Sequence, residues 1–149
     1  GEAGEASDAS GIAAILGLPH PARVDDLVLV AHVEKGLPSS AVEALIERID
    51  PTGEHVEIMD LVPKATYFRR KAKGQPLTRE QSERIVGLAR VVVESLRLYG
   101  QDSARALAFL SAAHPLLKGR APLDMAKEST LGAAIVLKLL GRADAGAAA

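Results

Sequence analysis

The stretch from Thr78 to Tyr99 constrains this chain most. Thr78 and Gln81 stand three residues apart, the T-x-x-Q pattern of a reciprocal helix cap. Ile85, Leu88, Val92, Leu96 and Tyr99 then recur at steps of three and four, and Gly100 follows. Residues spaced in this way share one face of a helix, so the pattern predicts a helix of about six turns. Such a stripe needs other helices to cover it. The remaining apolar content, mostly Ala, Leu, Val and Ile with two Phe, two Tyr and no Trp, suits helix packing better than a β-sandwich. The expected fold class is all-α.

Shorter segments follow the same logic. Gly1–Ser10 is small and polar and reads as disordered. Gly11–Leu18 is an apolar patch stopped by Pro19-His20-Pro21, either a helical turn or part of a flexible arm over residues 1–21. The apolar run within Asp25–Lys35 fits strand or helix equally. Ser39 or Ser40 can cap a helix over Val42, Leu45, Ile46 and Ile49. Asp50-Pro51-Thr52-Gly53 is a turn. A short helix is expected at Glu54–Leu61, with Val56, Met59 and Leu61 as candidates for burial. Pro63 fits the first turn of a basic helix that Gly74 stops. In the C-terminal third, Asp102 or Ser103 caps one helix, the segment from His114 to Pro122 is a loop, and Pro122 starts a further helical turn. Ser129 or Thr130 caps a last helix, with Leu131, Ile135 and Leu139 stacked, Val136 and Leu140 flanking, and Gly141 ending it. Residues 22–100 and 101–149 are the expected domains.

The net charge of −1 hides an uneven distribution. Residues 1–63 carry three basic and twelve acidic side chains, and residues 64–84 carry seven basic and two acidic. Three helices within Ser39–Lys73, the third of them basic, match a helix-turn-helix plan in which the last helix enters the DNA major groove. Arg69, Arg70, Lys71, Lys73 and Lys64 can neutralise phosphates, Thr66 and Tyr67 can add phosphate hydrogen bonds, and arginine can read guanine. The same tract also suits a solvated helix surface.

Several function classes find no support. There are no cysteines, so disulfides, thiolate zinc sites and a cysteine nucleophile are excluded. His20, His32, His55 and His114 stand at no metal-ligand spacing. No serine lies in G-x-S-x-G or S-x-x-K, and no glycine-rich phosphate loop occurs. Glu80 and Glu83 sit where they favour the dipole of the long helix. With no nucleophile, base and orienter to assemble, the chain reads as a non-enzyme without a cofactor. No apolar run is long enough for a membrane span and no signal-peptide pattern is evident, so the cytoplasm is expected.

The C-terminal segment carries a resemblance. Ala106-Leu107-Ala108-Phe109-Leu110, His114-Pro115, then Leu117-Lys118-Gly119-Arg120-Ala121-Pro122-Leu123-Asp124 precede Gly132-Ala133-Ala134-Ile135-Val136 and Leu139-Leu140-Gly141-Arg142. The loop L-x-G-x-x-P-L-D followed by a helix with G-A-x-x-V resembles the toxin-binding domain of Xre/MbcA/ParS antitoxins, ParS-like members included. Upstream, Tyr67-Phe68-Arg69-Arg70-Lys71, Leu77–Arg84 and Leu88-Ala89-Arg90 resemble the Xre-like half of the same proteins. The resemblance spans about Gly36–Arg142.

It implies an antitoxin of a type II toxin–antitoxin system. Its partner would be a RES-domain toxin that consumes NAD or transfers ADP-ribose, silenced by covering the toxin's NAD pocket. The basic half would bind operator DNA and repress transcription of its own operon. On this basis Lys118, Gly119, Arg120, Pro122, Leu123, Leu139, Leu140, Arg142 and Asp144 are expected at the toxin, with Asp144 meeting arginines of a phosphate pocket. Val86, Val91 and Val93 lie off the main stripe of the long helix, which suggests a homodimer within the toxin–antitoxin assembly. The rival reading is a helix-turn-helix transcription regulator with a C-terminal dimerisation domain and no toxin.

Overall fold

The computed structural model describes residues 8–148, with side chains through residue 143. It is built of helices alone among the described residues: α1 (Asp8–Ile15), α2 (Asp26–Lys35), α3 (Ser40–Ile49), α4 (Ile58–Leu61), α5 (Lys64–Ala72), α6 (Arg79–Leu98), α7 (Ser103–Ser111), α8 (Pro122–Glu128) and α9 (Thr130–Ala148), with single 3-10 turns at Pro21–Arg23 and Pro115–Leu117.

Helix α6 is the axis of the molecule. The Thr78 hydroxyl accepts from the Gln81 amide at 3.0 Å, and the Gln81 side chain accepts from the Thr78 amide at 3.0 Å, which satisfies two donors at the helix start. Ile85, Leu88, Val92 and Leu96 are buried as the stripe requires, and so are Ala89, Val91 and Val93. The helix is therefore covered on more than one side: α1, α2 and α3 pack against it from the N-terminal half, α7, α8 and α9 from the C-terminal half. This corrects the expectation that its off-stripe valines leave apolar surface for a second copy. Val91 and Val93 are spent inside the chain, and Val86 is half-buried against the same core.

The N-terminal arm is also corrected. From Asp8 on, the chain is a helix with Ala9, Ile12 and Ala13 buried, and Leu16 and Leu18 follow them into the core. Its partners come from far along the sequence, so local composition hides its order. Arg97 ties the start of α1 to α6 by ion pairs to Asp8 and Glu94, each at 2.9 Å. Residues 1–7 lie outside the described residues.

Asp25–Lys35 resolves as helix because the Asp25 carboxylate accepts from the Val28 amide at its first turn. Ser39 holds the position before α3 but its hydroxyl makes no capping bond. Helix α4 is shorter than expected, starting at Ile58, and Met59 is exposed rather than buried. Pro63 precedes α5 as its cap residue instead of occupying the first turn. Gly141 does not stop α9, which runs on to Ala148. On α9 the core is made by Ala133, Val136, Leu139 and Leu140, while Leu131 and Ile135 face solvent. Gly132 explains how α9 comes so close to α8: a Cβ there would overlap the carbonyl oxygen of Met125. No described helix is long and apolar enough to cross a membrane.

Candidate nucleic-acid and partner interfaces

Helix α5 follows α4 after a two-residue turn, Val62-Pro63, and is packed through one residue. Tyr67 is fully buried, so its expected phosphate contact is corrected: the ring is the anchor that fixes α5 to the core. Burial, and after it the nearby Glu43 carboxylate, push the Tyr67 hydroxyl above the usual phenol range. The same hydroxyl, with the Lys71 ammonium 3.1 Å away, holds the Glu43 carboxyl below its usual range in spite of partial burial. Lys71 is thus engaged within the chain. Arg70 is half-buried and donates to the Pro76 carbonyl at 2.8 Å, and Thr66 is half-buried. Lys64, Arg69 and Lys73 are exposed and bond to no other described side chain. Of the seven residues expected at DNA, these three form the free cationic edge. Phe68, exposed on the same helix, escaped the sequence reading, which weighed charge and hydrogen bonding alone.

The second group of expected residues divides in the same way. The loop between α7 and α8 is closed on itself by His114: its amide donates to the Arg120 carbonyl at 3.0 Å, its carbonyl accepts from Gly119 at 3.0 Å, and its Nδ1 accepts from Leu116 at 3.1 Å. His114 is a loop fastener, as its position before Pro115 suggests. This closure turns Lys118 and Gly119 into left-handed conformations, φ 55° and 83°, and presents both to solvent. Arg120 is exposed and paired with Glu128 at 2.8 Å. An open cleft of about 480 Å³ beside it is lined by Ser111, Gly119, Arg120, Asp124, Lys127 and Glu128.

Pro122, Leu123, Leu139 and Leu140 are buried within the chain, which corrects their expected contact with a partner; Leu123 and Leu140 hold α8 and α9 to the core. Arg142 is exposed in the C-terminal half of α9, and the Asp144 side chain lies outside the described residues. The apolar groups that this half does present are Leu116, Leu131 and Ile135. Leu131 and Ile135 stand four apart, so the period that suggests burial is real but faces outward. Among the described residues no three His, Asp or Glu side chains converge as metal ligands.

Two family models match in tandem. Residues 28–90 match the antitoxin Xre-like helix-turn-helix domain, and residues 95–146 match the antitoxin Xre/MbcA/ParS C-terminal toxin-binding domain. The chain is 29% identical to Antitoxin Xre of Yersinia enterocolitica serotype O:8 / biotype 1B, over 76% of this chain and 86% of that protein. The first match covers α2 to α5 and part of α6, and the second covers α7 to α9. The exposed basic helix α5 lies within the first match, and the exposed Leu116, Leu131, Ile135 and Arg142 lie within the second. The chain belongs to the Xre-type antitoxins, a helix-turn-helix domain followed by a toxin-binding domain, and not to an enzyme family.

Proposed function

We propose that this antitoxin neutralises a RES-type toxin by covering its NAD pocket, and that it represses its own operon through α5. The observation that carries the toxin half is the exposed set Leu116, Leu131, Ile135 and Arg142 within the toxin-binding domain. The three apolar groups are costly to leave in water and suit an apolar cleft on a partner, with the Arg142 guanidinium suited to an acidic group at its edge. Lys118, Gly119 and Arg120 stand on the rim of the same half. Helix α9 carries Arg142 and then Asp144 toward its end, where a carboxylate is suited to the arginines of an NAD phosphate pocket.

Support for the DNA half is the free edge of Lys64, Arg69 and Lys73 on a helix with no acidic residue. A helix-turn-helix protein presents two recognition helices to a two-fold operator, so the reading keeps a homodimer inside the toxin–antitoxin complex and a cytoplasmic site of action. Co-expression with the product of the neighbouring gene, expected to be a RES-type toxin, tests the proposal. The purified complex should consume no NAD while the toxin alone does. A complex that forms but leaves NAD consumption intact removes the pocket-covering claim, and the absence of any complex removes the RES partner. Asp144→Ala should weaken the complex; an unchanged complex removes that contact.

A further inference from the structure

The outward face of α5 carries more than charge. On the side away from Tyr67, Ala65 and Ala72 lie one above the other, with Phe68 and Arg69 flanking them, and all four are exposed. Phe68 is 52% exposed, and its ring stands edge-on to Tyr67, with centroids 5.2 Å apart and planes at 83°. The buried tyrosine therefore sets the position of the exposed phenylalanine. Around it α5 holds Lys64 and Arg69 as free cations, Arg70 and Lys71 engaged within the chain, and no acidic side chain of its own. An apolar ring in a cationic frame fits a polyanion that has apolar spots, better than it fits an apolar protein face. The DNA major groove is such a surface: the thymine C5-methyl is its apolar group, and guanine offers O6 and N7 to arginine. Two alanines between the ring and the guanidinium let the helix backbone come close to the base edges.

We propose that Phe68 packs on a thymine methyl in the operator, beside a guanine read by Arg69. This rests on the DNA-binding reading above. The test uses the full chain to select duplexes from a randomised pool. Each selected thymine is then replaced in turn by deoxyuridine, which removes the C5-methyl and nothing else. One thymine per half-site should respond, with binding about fourfold weaker, the effect of one buried methyl. At that position Phe68→Ala should bind thymine and deoxyuridine equally, and Phe68→Leu should keep part of the preference.

If the chain selects a sequence but no thymine responds, or Phe68→Ala preserves the response, the ring reads no base and the inference is overturned while DNA binding stands. Loss of the toxin complex in Phe68→Ala, with base selection unchanged, overturns it in favour of a protein partner. If the chain selects no sequence and Arg69→Ala leaves its retention on DNA unaltered, the DNA-binding reading falls and takes this inference with it.

Discussion

Asp50 is a buried carboxylate with a structural task. It is 1% exposed, and its Oδ2 accepts from the amides of His55 and Val56 at 2.8 and 2.9 Å, closing the turn that leads into α4. Burial alone would raise its pKa, but these amide donors outweigh burial and hold the carboxyl below its ordinary 3.8. The folded chain therefore binds this proton less readily than the unfolded chain. The resulting stability is complete above the ordinary carboxylate range and is lost as pH falls through the folded pKa. Asp50→Ala should lower unfolding free energy by about 1–3 kcal/mol at neutral pH. The gap between variant and parent should shrink in urea titrations repeated at acid pH; a gap independent of pH would refute this role. The arginines of α5 part in a second way. Arg69 is free and Arg70 is tied to Pro76, so Arg69→Ala should weaken DNA binding and relax the choice of the base it reads, whereas Arg70→Ala should weaken DNA binding less and lower stability more. Equal losses of DNA binding for the two variants would mean that Arg70 leaves Pro76 to reach the DNA. The sequence marks both arginines as basic but not which is free, because that depends on a carbonyl six residues away. Tyr67 is a similar case: two adjacent aromatics on a short helix do not say which one turns inward.

At the scale of elements, α6 is legible because its signals are local and agree: a reciprocal cap, a continuous stripe and a terminal glycine. Thr78→Ala should cost about 1 kcal/mol, measured as a lower urea midpoint; no loss would mean that tertiary packing alone sets where the helix begins. Helix α1 is illegible for the opposite reason, since its eight residues are ordered by contact with α3 and α6 and carry no periodic signal of their own. Helix α9 is legible in type but not in orientation. Leu131, Ile135 and Leu139 share a stripe, yet the N-terminal part of α9 is turned by its close approach to α8, and the first two residues emerge into solvent. Gly132 makes that approach possible. Gly132→Ala places a methyl on the Met125 backbone, which no side-chain rotation relieves, so a loss of about 1–3 kcal/mol is expected. The toxin complex should weaken together with stability, because α9 carries Leu131 and Ile135 and Glu128 of α8 holds Arg120. A variant as stable as the parent would place slack between the two helices that the packing does not suggest.

For the whole molecule, the two family matches meet at α6, but the core does not divide there. Buried residues from α1 through α9 form one continuous apolar cluster. Polar links cross the same line: Arg48 of α3 bonds Ser103 of α7, the Arg84 guanidinium donates to the Lys127 carbonyl at 2.6 Å, and Lys127 lies 3.9 Å from Asp60 of α4. A domain boundary drawn at residues 100 and 101 from the sequence follows the turn after α6, where chain direction changes. It cannot register that α6 belongs to both sides. A fragment of residues 101–149 alone would lose the cover that α6 gives to α8 and α9, whose buried residues include Leu123, Ala126, Ala133, Val136 and Leu140. A fragment of 1–100 would leave Leu88 and Ala89 without part of their cover. Both fragments should therefore lack a cooperative thermal transition by circular dichroism, and an equimolar mixture should recover one. A cooperative transition in 101–149 by itself would show that the toxin-binding half folds without α6. Failure of the mixture to recover, with both halves unstructured, would mean that the chain connection supplies stability that the interface does not. The expected result makes DNA-binding and toxin-binding surfaces parts of one cooperative unit. On that account, truncation of the fully buried Ile12 of α1 lowers both activities in parallel, whereas Lys64→Ala or Arg69→Ala lowers DNA binding alone.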